Sequence, residues 1–335
     1  MSVLSLFLGI FTFVELNCEN FFDTQHDSLK QDQEYLAEST RHWNRHRYWE
    51  KLDHIGQEIV SCGDNNTDWQ LPDLVALCEI ENDSVCHYLT KRSLLRNAGY
   101  EYLVTQSPDV RGIDVALLYS PVSFRVINRR DIRIPPLPEM RPTRDILYVS
   151  GELRCGDTLH VFVVHAPSRY GGERSTRPHR LLVAENLSTA IDSIRALHPQ
   201  ANILVAGDMN DPHDGHLPKR IEAAGLINVS AKAKGFHGAR GTYKYQGRWE
   251  SIDHIFVSPT LTGAFRSCII NDAPFLMEED ETYGGKKPFA PIAGCAIMRA
   301  IAIICPLLHV STLATETHSF AHYFADCRKK CTFAA

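Results

Sequence analysis

The sequence predicts an α/β fold, a four-layer sandwich of two mainly antiparallel sheets flanked by helices. Three observations predict it. Short apolar runs alternate with segments of helical spacing along the whole chain. Each half also contains strand pairs of hairpin type, the clearest around Cys155-Gly156-Asp157. Finally, five apolar runs stop abruptly on acids, amides or a histidine. Polar side chains at strand ends lie at one edge of a sheet, where layered α/β proteins build their sites.

The elements follow in order. Phe11-Thr12-Phe13-Val14-Glu15-Leu16 alternates in part and reads as a first strand, ending on Asn17-Cys18-Glu19-Asn20. Residues 1–10 before it are apolar and uncharged, an apolar leader or the remnant of a secretory signal. They lack a basic start and a clear small-residue cleavage site, so cytoplasmic and exported locations both stay open. Residues 23–44 read as a polar loop. Trp49, Leu52, Ile55, Ile59 and Val60 have helical spacing within 45–62. Leu74-Val75-Ala76-Leu77-Cys78 is a buried strand ending in Glu79-Ile80-Glu81-Asn82. A helix is predicted from Asp83, as N-cap, to residue 97, with Gly99 stopping it. Residues 100–104, 115–119 and 124–133 read as strands, and the proline-rich stretch 135–142 as an exposed connection.

The hairpin over 146–153 and 158–164 delivers His165-Ala166-Pro167-Ser168-Arg169. A glycine- and arginine-containing loop follows, then an amphipathic helix over 180–197. Asn202-Ile203-Leu204-Val205-Ala206 is the next strand, and Gly207 lets the backbone turn closely before Asp208-Met209-Asn210-Asp211. Residues 213–224 read as a short helix and 235–245 as a loop rich in Gly, Lys, Arg and Tyr. Residues 251–258 form a late strand that carries Asp253. No internal repeat is apparent.

Composition bounds the function. The 335 residues suffice for one large domain or two modest ones, and 44% hydrophobic with 22% charged residues is ordinary for a globular chain. A net charge of −5 gives no broad basic footprint for nucleic acid. A local patch or a bound cation can still serve a nucleic-acid substrate. The ten cysteines include no Cys-x-x-Cys pair, so neither a disulfide framework nor a zinc site is indicated.

The strand ends assemble Asn17 and Glu19, Glu79 and Glu81, His165, Asp208 and Asn210, and Asp253. Carboxylates and amides without cysteine suit a hard cation such as Mg²⁺ or Mn²⁺. Such an ion neutralises a phosphate and stabilises the charge that develops when phosphorus is attacked. An Asp can orient or deprotonate the attacking water, and amides and imidazole can bind the non-bridging oxygens.

In order and spacing these motifs resemble the endonuclease/exonuclease/phosphatase superfamily over about residues 11–289. The motifs are Leu16-Asn17-Cys18-Glu19-Asn20, Leu77-Cys78-Glu79, Arg111-Gly112-Ile113-Asp114, Val164-His165-Ala166-Pro167-Ser168-Arg169, Gly207-Asp208-Met209-Asn210 and Ile252-Asp253-His254-Ile255. The resemblance implies a metal-dependent phosphoesterase, an endonuclease or phosphodiesterase working by metal-assisted water attack. It makes Glu79 the principal metal ligand, with Asn17 and Glu19 helping to hold metal and phosphate. His165 becomes a phosphate-binding or acid histidine, Asp208 the residue that aligns water, and Asn210 the amide that stabilises the transition state. Asp253 supports the site from the late strand, and Arg111 and Arg169 join Asn17 in substrate binding. The implied partner is nucleic acid or another phosphodiester, with no obligate protein partner and a monomeric chain. Two alternatives remain: an inactive binding protein that keeps the cleft, or a phosphatase acting on a small or lipid phosphate.

Several positions carry a second reading. Glu81 is expected to face away from Glu79. Asp114 either lines the cleft or binds nearby backbone or an arginine. His254 is expected to be structural and Asp211 a helix cap. Arg169 and Arg174 either grip phosphate or form a solvated loop, and the same choice holds for Tyr243, Lys244, Tyr245 and Arg248, which could stack and grip nucleic acid.

The superfamily pattern ends in a Ser-Asp-His strand entry, and this chain has none. After Phe289 the composition changes, and four of the ten cysteines fall within residues 290–335. Read one base upstream, the codons of Ala302-Ile303-Ile304-Cys305-Pro306 permit Ser-Asp-His-Leu-Pro. The expectation is a single-base frameshift near Phe289–Ala290, with 290–335 an atypical tail and activity impaired as written. The alternative is a genuine tail.

Overall fold

A computed structural model describes residues 7–63, 69–289, 299–301 and 307–311. The expectations about residues 290–298 and 302–306, including a Ser-Asp-His reading, and much of the leader and tail, lie outside these residues.

The first half carries strands β1 (Phe7–Phe11), β2 (Phe13–Phe21), β3 (Leu74–Ile80), β4 (Glu101–Val104) and β5 (Asp114–Tyr119), with helices α1 (Arg45–Ser61) and α2 (Asp83–Lys91). The second half carries β6 (Phe124–Ile132), β7 (Ile146–Leu153), β8 (Thr158–His165), β9 (Asn202–Asp208), β10 (Ile227–Asn228), β11 (Tyr243–Tyr245), β12 (Arg248–Glu250) and β13 (Asp253–Val257), with α3 (Glu173–Leu197) and α4 (His216–Ala223). Beyond them lie β14 (Met277–Glu279), β15 (Lys286–Pro288), β16 (Arg299–Ile301) and β17 (Leu307–Ser311).

Strand alternation decides the layers. In β3, Leu74, Ala76 and Cys78 face Phe13, Val115, Leu117 and the inner residues Val161, Val163, Leu204, Ala206 and Ile255 of the second sheet. Val75 and Leu77 point the other way, onto Leu52, Ile55 and Ile59 of α1 and Val85 and Leu89 of α2. The outer face of the second sheet, including Phe162, Val164, Ile203, Val205 and Phe256, packs on Val183, Leu187 and Ile191 of α3 and Leu217 and Ile221 of α4. The result is the expected helix–sheet–sheet–helix order. One sheet runs β16-β2-β3-β5-β4 and the other β10-β13-β9-β8-β7-β6. Among the described residues each contains a single parallel pair, β2 with β3 and β8 with β9, and every other pairing is antiparallel.

Three expectations need correction. The helix predicted over 83–97 ends at Lys91 and is followed by a 3₁₀ turn over Leu94–Asn97. Its cap is Asn82, whose side chain accepts from the Val85 N–H at 3.0 Å, and Ser93 caps the second turn. The helix predicted from residue 180 begins at Glu173 and runs through Pro178. Its first turn has no apolar period to betray it and is held instead by the Glu173–Arg177 pair at 2.6 Å. The segment read as a loop over 235–245 ends in a hairpin, because Tyr243–Tyr245 pairs with Arg248–Glu250.

One helix residue breaks the apolar rule. Glu58 on the buried face of α1 is 1% exposed, and neither carboxyl oxygen has a hydrogen-bond partner among the described residues. Burial pushes its pKa from 4.5 to about 8. The folded chain therefore keeps this proton between those pH values while the unfolded chain has lost it. Stability from this group is present at low pH and falls as pH rises toward 8. Glu58→Gln removes that dependence. Thermal unfolding of the two proteins is expected to coincide near pH 5, with the variant melting roughly 3–5 °C higher at pH 8.5. Equal melting temperatures at both pH values would refute the assignment.

Candidate active site

A parallel pair ends both its strands at the same edge of a sheet. The two parallel pairs therefore deliver Asn17 and Glu19, Glu79, His165 and Asp208 from four neighbouring C-terminal strand ends. β13 runs antiparallel to β9 and starts where β9 ends, so Asp253 is the register partner of Asp208. His165 is the register partner of Asp208 on the other side.

The first sheet is irregular at this edge. The β2–β3 register shifts between Asn17 and Phe21, and the β3–β5 register shifts between Cys78 and Ile80. Glu19, Asn20 and Glu79 take φ values of 50°, 58° and 62°, and Asn210 one of 50°. Left-handed backbone is uncommon for side-chain-bearing residues and collects where a site requires it. Here hydrogen bonds hold it. The Glu79 Oε2 accepts from the Asn20 N–H at 2.7 Å, and the Asn17 Oδ1 accepts from the Glu19 N–H at 2.9 Å. Lys51 of α1, itself buried, donates to the Glu19 carbonyl.

Asp208 is fixed at both oxygens. Oδ2 accepts from the Asn17 Nδ2 at 3.0 Å, across the two sheets, and Oδ1 accepts from the Asn210 N–H at 2.7 Å. The His165 Nε2 lies 3.7 Å from Glu79 Oε1 and 3.8 Å from Asp208 Oδ2. Asn210 donates from Nδ2 to the Ala166 carbonyl at 3.0 Å. Asn17, Glu19, His165, Asp208, Asn210 and Asp253 are all buried, and Glu79 is partly open. The structure thus brings Asn17, Glu79, His165, Asp208 and Asn210 into one linked cluster.

Supporting residues escaped the sequence. Thr242 donates to the Asp253 Oδ2 at 2.5 Å and accepts from the Ile252 N–H at 3.1 Å, tying the β11–β12 hairpin to the site acid. Arg144 bridges Asp109, at 3.0 Å, and the Ala166 carbonyl, at 2.8 Å. Thr242 lies 11 residues from Asp253 and Arg144 lies 22 from Ala166, and no local pattern marks either.

The remaining candidates separate. Glu81 turns away and accepts from the Asp23 N–H, and burial with Asp23 nearby raises its pKa to about 8. Asp114 is buried under Thr105, at 2.5 Å, and the Ser107 N–H, at 3.0 Å, which makes it a backbone anchor rather than a cleft residue. His254 is fully buried, with Nε2 2.9 Å from the Asp211 carbonyl, and burial lowers its pKa to about 4, so it is neutral and structural. Asp211 accepts from the Leu217 N–H at 2.9 Å and caps α4. Arg111 pairs with Asp109 of its own loop rather than with a site residue, Arg169 pairs with Glu250 at 2.5 Å, and Arg174 is exposed.

Among the described residues, no group of three or more His, Cys, Asp or Glu side chains is gathered closely enough to hold a metal. Mg²⁺ uses one or two carboxylates and completes its shell with water and substrate phosphate. The Glu79 carboxylate and the Asn17 amide, at the ends of the parallel pair β2 and β3, fit that sparse, all-oxygen contribution.

The profile of the endonuclease/exonuclease/phosphatase family matches residues 12–298, and the chain belongs to that family. No curated protein matches the sequence. Among solved structures, an endonuclease/exonuclease/phosphatase family protein from Bacteroides thetaiotaomicron aligns at 14% identity and TM-score 0.57, covering 89% of this chain and 97% of its own. A mannosyl-6-phosphatase of the same organism aligns at 13% identity and TM-score 0.57, covering 89% and 99%. The catalytic domain of human Nocturnin, solved with a bound sulfate anion, aligns at 18% identity and TM-score 0.51, covering 75% and 82%. At these identities the likeness is one of fold.

Gly207 makes the site geometry possible. Its φ is 140°, and a Cβ there would sit 1.8 Å from the Val164 carbonyl oxygen. Gly207→Ala forces β8 and β9 apart at the residues preceding His165 and Asp208. The expected cost is at least about 3 kcal/mol, read as a lowered denaturant midpoint. An unchanged midpoint would show that the strands do not approach as described.

Proposed function

We propose that the protein is a metal-dependent phosphoesterase that hydrolyses phosphodiester bonds by attack of water on phosphorus. The observation that carries this reading is the double clamp on Asp208 beside His165 and Glu79. A carboxylate held through both oxygens keeps one orientation, and its remaining lone pairs can align a water and accept its proton. Asn17 and Asn210 each spend one amide hydrogen within the cluster and keep a second for a phosphoryl oxygen. His165 supplies a further contact to phosphate or a proton for the departing oxygen. Asp253, locked by Thr242, holds the β13 end against Asp208. Glu79, with Asn17 and Glu19, would hold Mg²⁺ or Mn²⁺, which when bound neutralises the phosphate and stabilises charge on its oxygens. Arg169, four residues beyond His165, and Arg111 would hold the rest of the substrate.

The family includes enzymes of both kinds, and the mannosyl-6-phosphatase fold makes a small phosphate monoester the rival substrate. Hydrolysis of bis-(p-nitrophenyl) phosphate and of plasmid DNA, compared with release of phosphate from mannose 6-phosphate, separates the two. The tail as written lacks the Ser-Asp-His strand entry. Turnover of this chain is therefore expected to be slow, and to rise by about 10²-fold or more when residues 290–335 are encoded in the upstream frame. In either form, EDTA and Asp208→Asn are each expected to lower diesterase turnover, the substitution by about 10³-fold. Full activity of the Asp208→Asn protein would overturn the assigned role, and preferential release of phosphate from the monoester would overturn the substrate class.

A further inference from the structure

The β11–β12 hairpin grows directly out of the site. At one root Thr242 is bonded to Asp253, and at the other Glu250 is bonded to Arg169, four residues beyond His165. Residues directly opposite in an antiparallel pair put their side chains on the same face. Tyr243 lies opposite Glu250, and Tyr245 opposite Arg248. Alternation then places Tyr243, Tyr245, Arg248 and Glu250 on one face and Lys244 with Trp249 on the other. Because Glu250 reaches Arg169 from the first face, that face is turned toward the loop that follows His165.

The two faces differ in chemistry. On the underside, Lys244 is buried, pairs with Asp280 at 2.7 Å, donates to the carbonyls of Gly284 and Lys286, and lies 5.8 Å over the Trp249 ring. It is a structural anchor, neither of the two roles, gripping or solvated, that the sequence left open for it. On the cleft-facing side the Tyr243 and Tyr245 rings lie parallel within 8°, with centroids 6.1 Å apart. Tyr245 is 58% exposed, and Arg248 beside it is exposed. Tyr170, next to Arg169, is 93% exposed.

We propose that this face is a stacking platform that receives the bases of a single-stranded polynucleotide and feeds its backbone to the phosphoesterase site. The inference rests on the phosphodiesterase reading and names its substrate class. Successive bases of a single strand present parallel flat faces at a regular interval, and a row of parallel aromatic rings matches them with little dependence on sequence. Arg248 supplies positive charge where the backbone phosphates must pass, while the charge of Arg169 is shared with Glu250 on the same face. A paired duplex keeps its bases stacked on one another and cannot offer them to the rings.

The test uses the full chain in EDTA and a fluorescein-labelled oligothymidylate of about twelve nucleotides, followed by fluorescence anisotropy. Tyr245→Ala is expected to weaken binding about tenfold, while Tyr245→Phe, which keeps the ring, stays within about twofold. Arg248→Ala is expected to weaken binding and to lower the salt dependence by about one phosphate contact. The same sequence as a duplex competes poorly. Three results would each overturn the proposal: undiminished binding by Tyr245→Ala and Tyr243→Ala, equal affinity for the duplex, or tight binding of mannose 6-phosphate that needs Tyr245 with none of the oligonucleotide. Binding that follows the expected pattern, without any hydrolysis of bis-(p-nitrophenyl) phosphate even when residues 290–335 are encoded in the upstream frame, would instead fail the phosphoesterase reading and leave the platform standing.

Discussion

The site depends on how closely two parallel strands approach at Gly207. The Val164 carbonyl occupies the space where a side chain at residue 207 would be, and the next pair in register is His165 with Asp208. Only glycine admits this contact. It brings the imidazole of β8 and the carboxylate of β9 within 4 Å of each other, at 3.8 Å. The second parallel pair, β2 with β3, ends on Asn17 and Glu79 in the opposite sheet. The Asn17–Asp208 hydrogen bond then joins the two sheets at the edge where all four strands end. A sandwich of wholly antiparallel sheets would scatter these ends to opposite edges. Two parallel pairs, one per sheet, collect them.

That collection alone would leave the side chains aimed wrongly, because strand alternation sends neighbours to opposite faces. The bulges around residues 17–21 and 78–80 correct the aim. They take Glu19, Asn20 and Glu79 into left-handed backbone, and Asn210 makes the same turn in the other sheet. Each such residue costs of the order of 1–3 kcal/mol. The hydrogen bonds from Asn20 to Glu79, Glu19 to Asn17 and Asn210 to Asp208 run through the same residues, so the strained turns and the orientation of the site are one construction. The buried Lys51, bonded to the Glu19 carbonyl, reinforces it from α1.

Much of this was legible in the sequence. An apolar run that stops on an acid or amide marks a strand end, and Asn17, Glu79, His165, Asp208 and Asn210 were found that way. The layers were legible because alternating faces of β3 and β9 must be buried on both sides. The secondary meaning of several polar residues was legible too: Glu81 faces away, Asp211 caps, and His254 is neutral in the core. Arg144 and Thr242 were not. Their partners, Ala166 and Asp253, are set by tertiary placement, and an arginine or threonine in a connection has no local signature of such a bond.

The misread elements have a common cause. The β11 and β12 strands are three residues each, too short to show a period of two, and their composition of Tyr, Lys, Arg and Gly reads as a solvated loop. The first turns of α3 are polar and contain Pro178, so the helical period starts only where the helix meets the sheet. The loop that leads into α3 and the β11–β12 hairpin are linked through Arg169 and Glu250. Sequence patterns report burial, and they report it well in the layers. In exposed segments burial is missing, and the local pattern loses its meaning. The failures therefore mark where the fold stops serving its own stability. The aromatic and cationic residues there do little for the core, whereas Lys244, the one that does, is hidden on the underside.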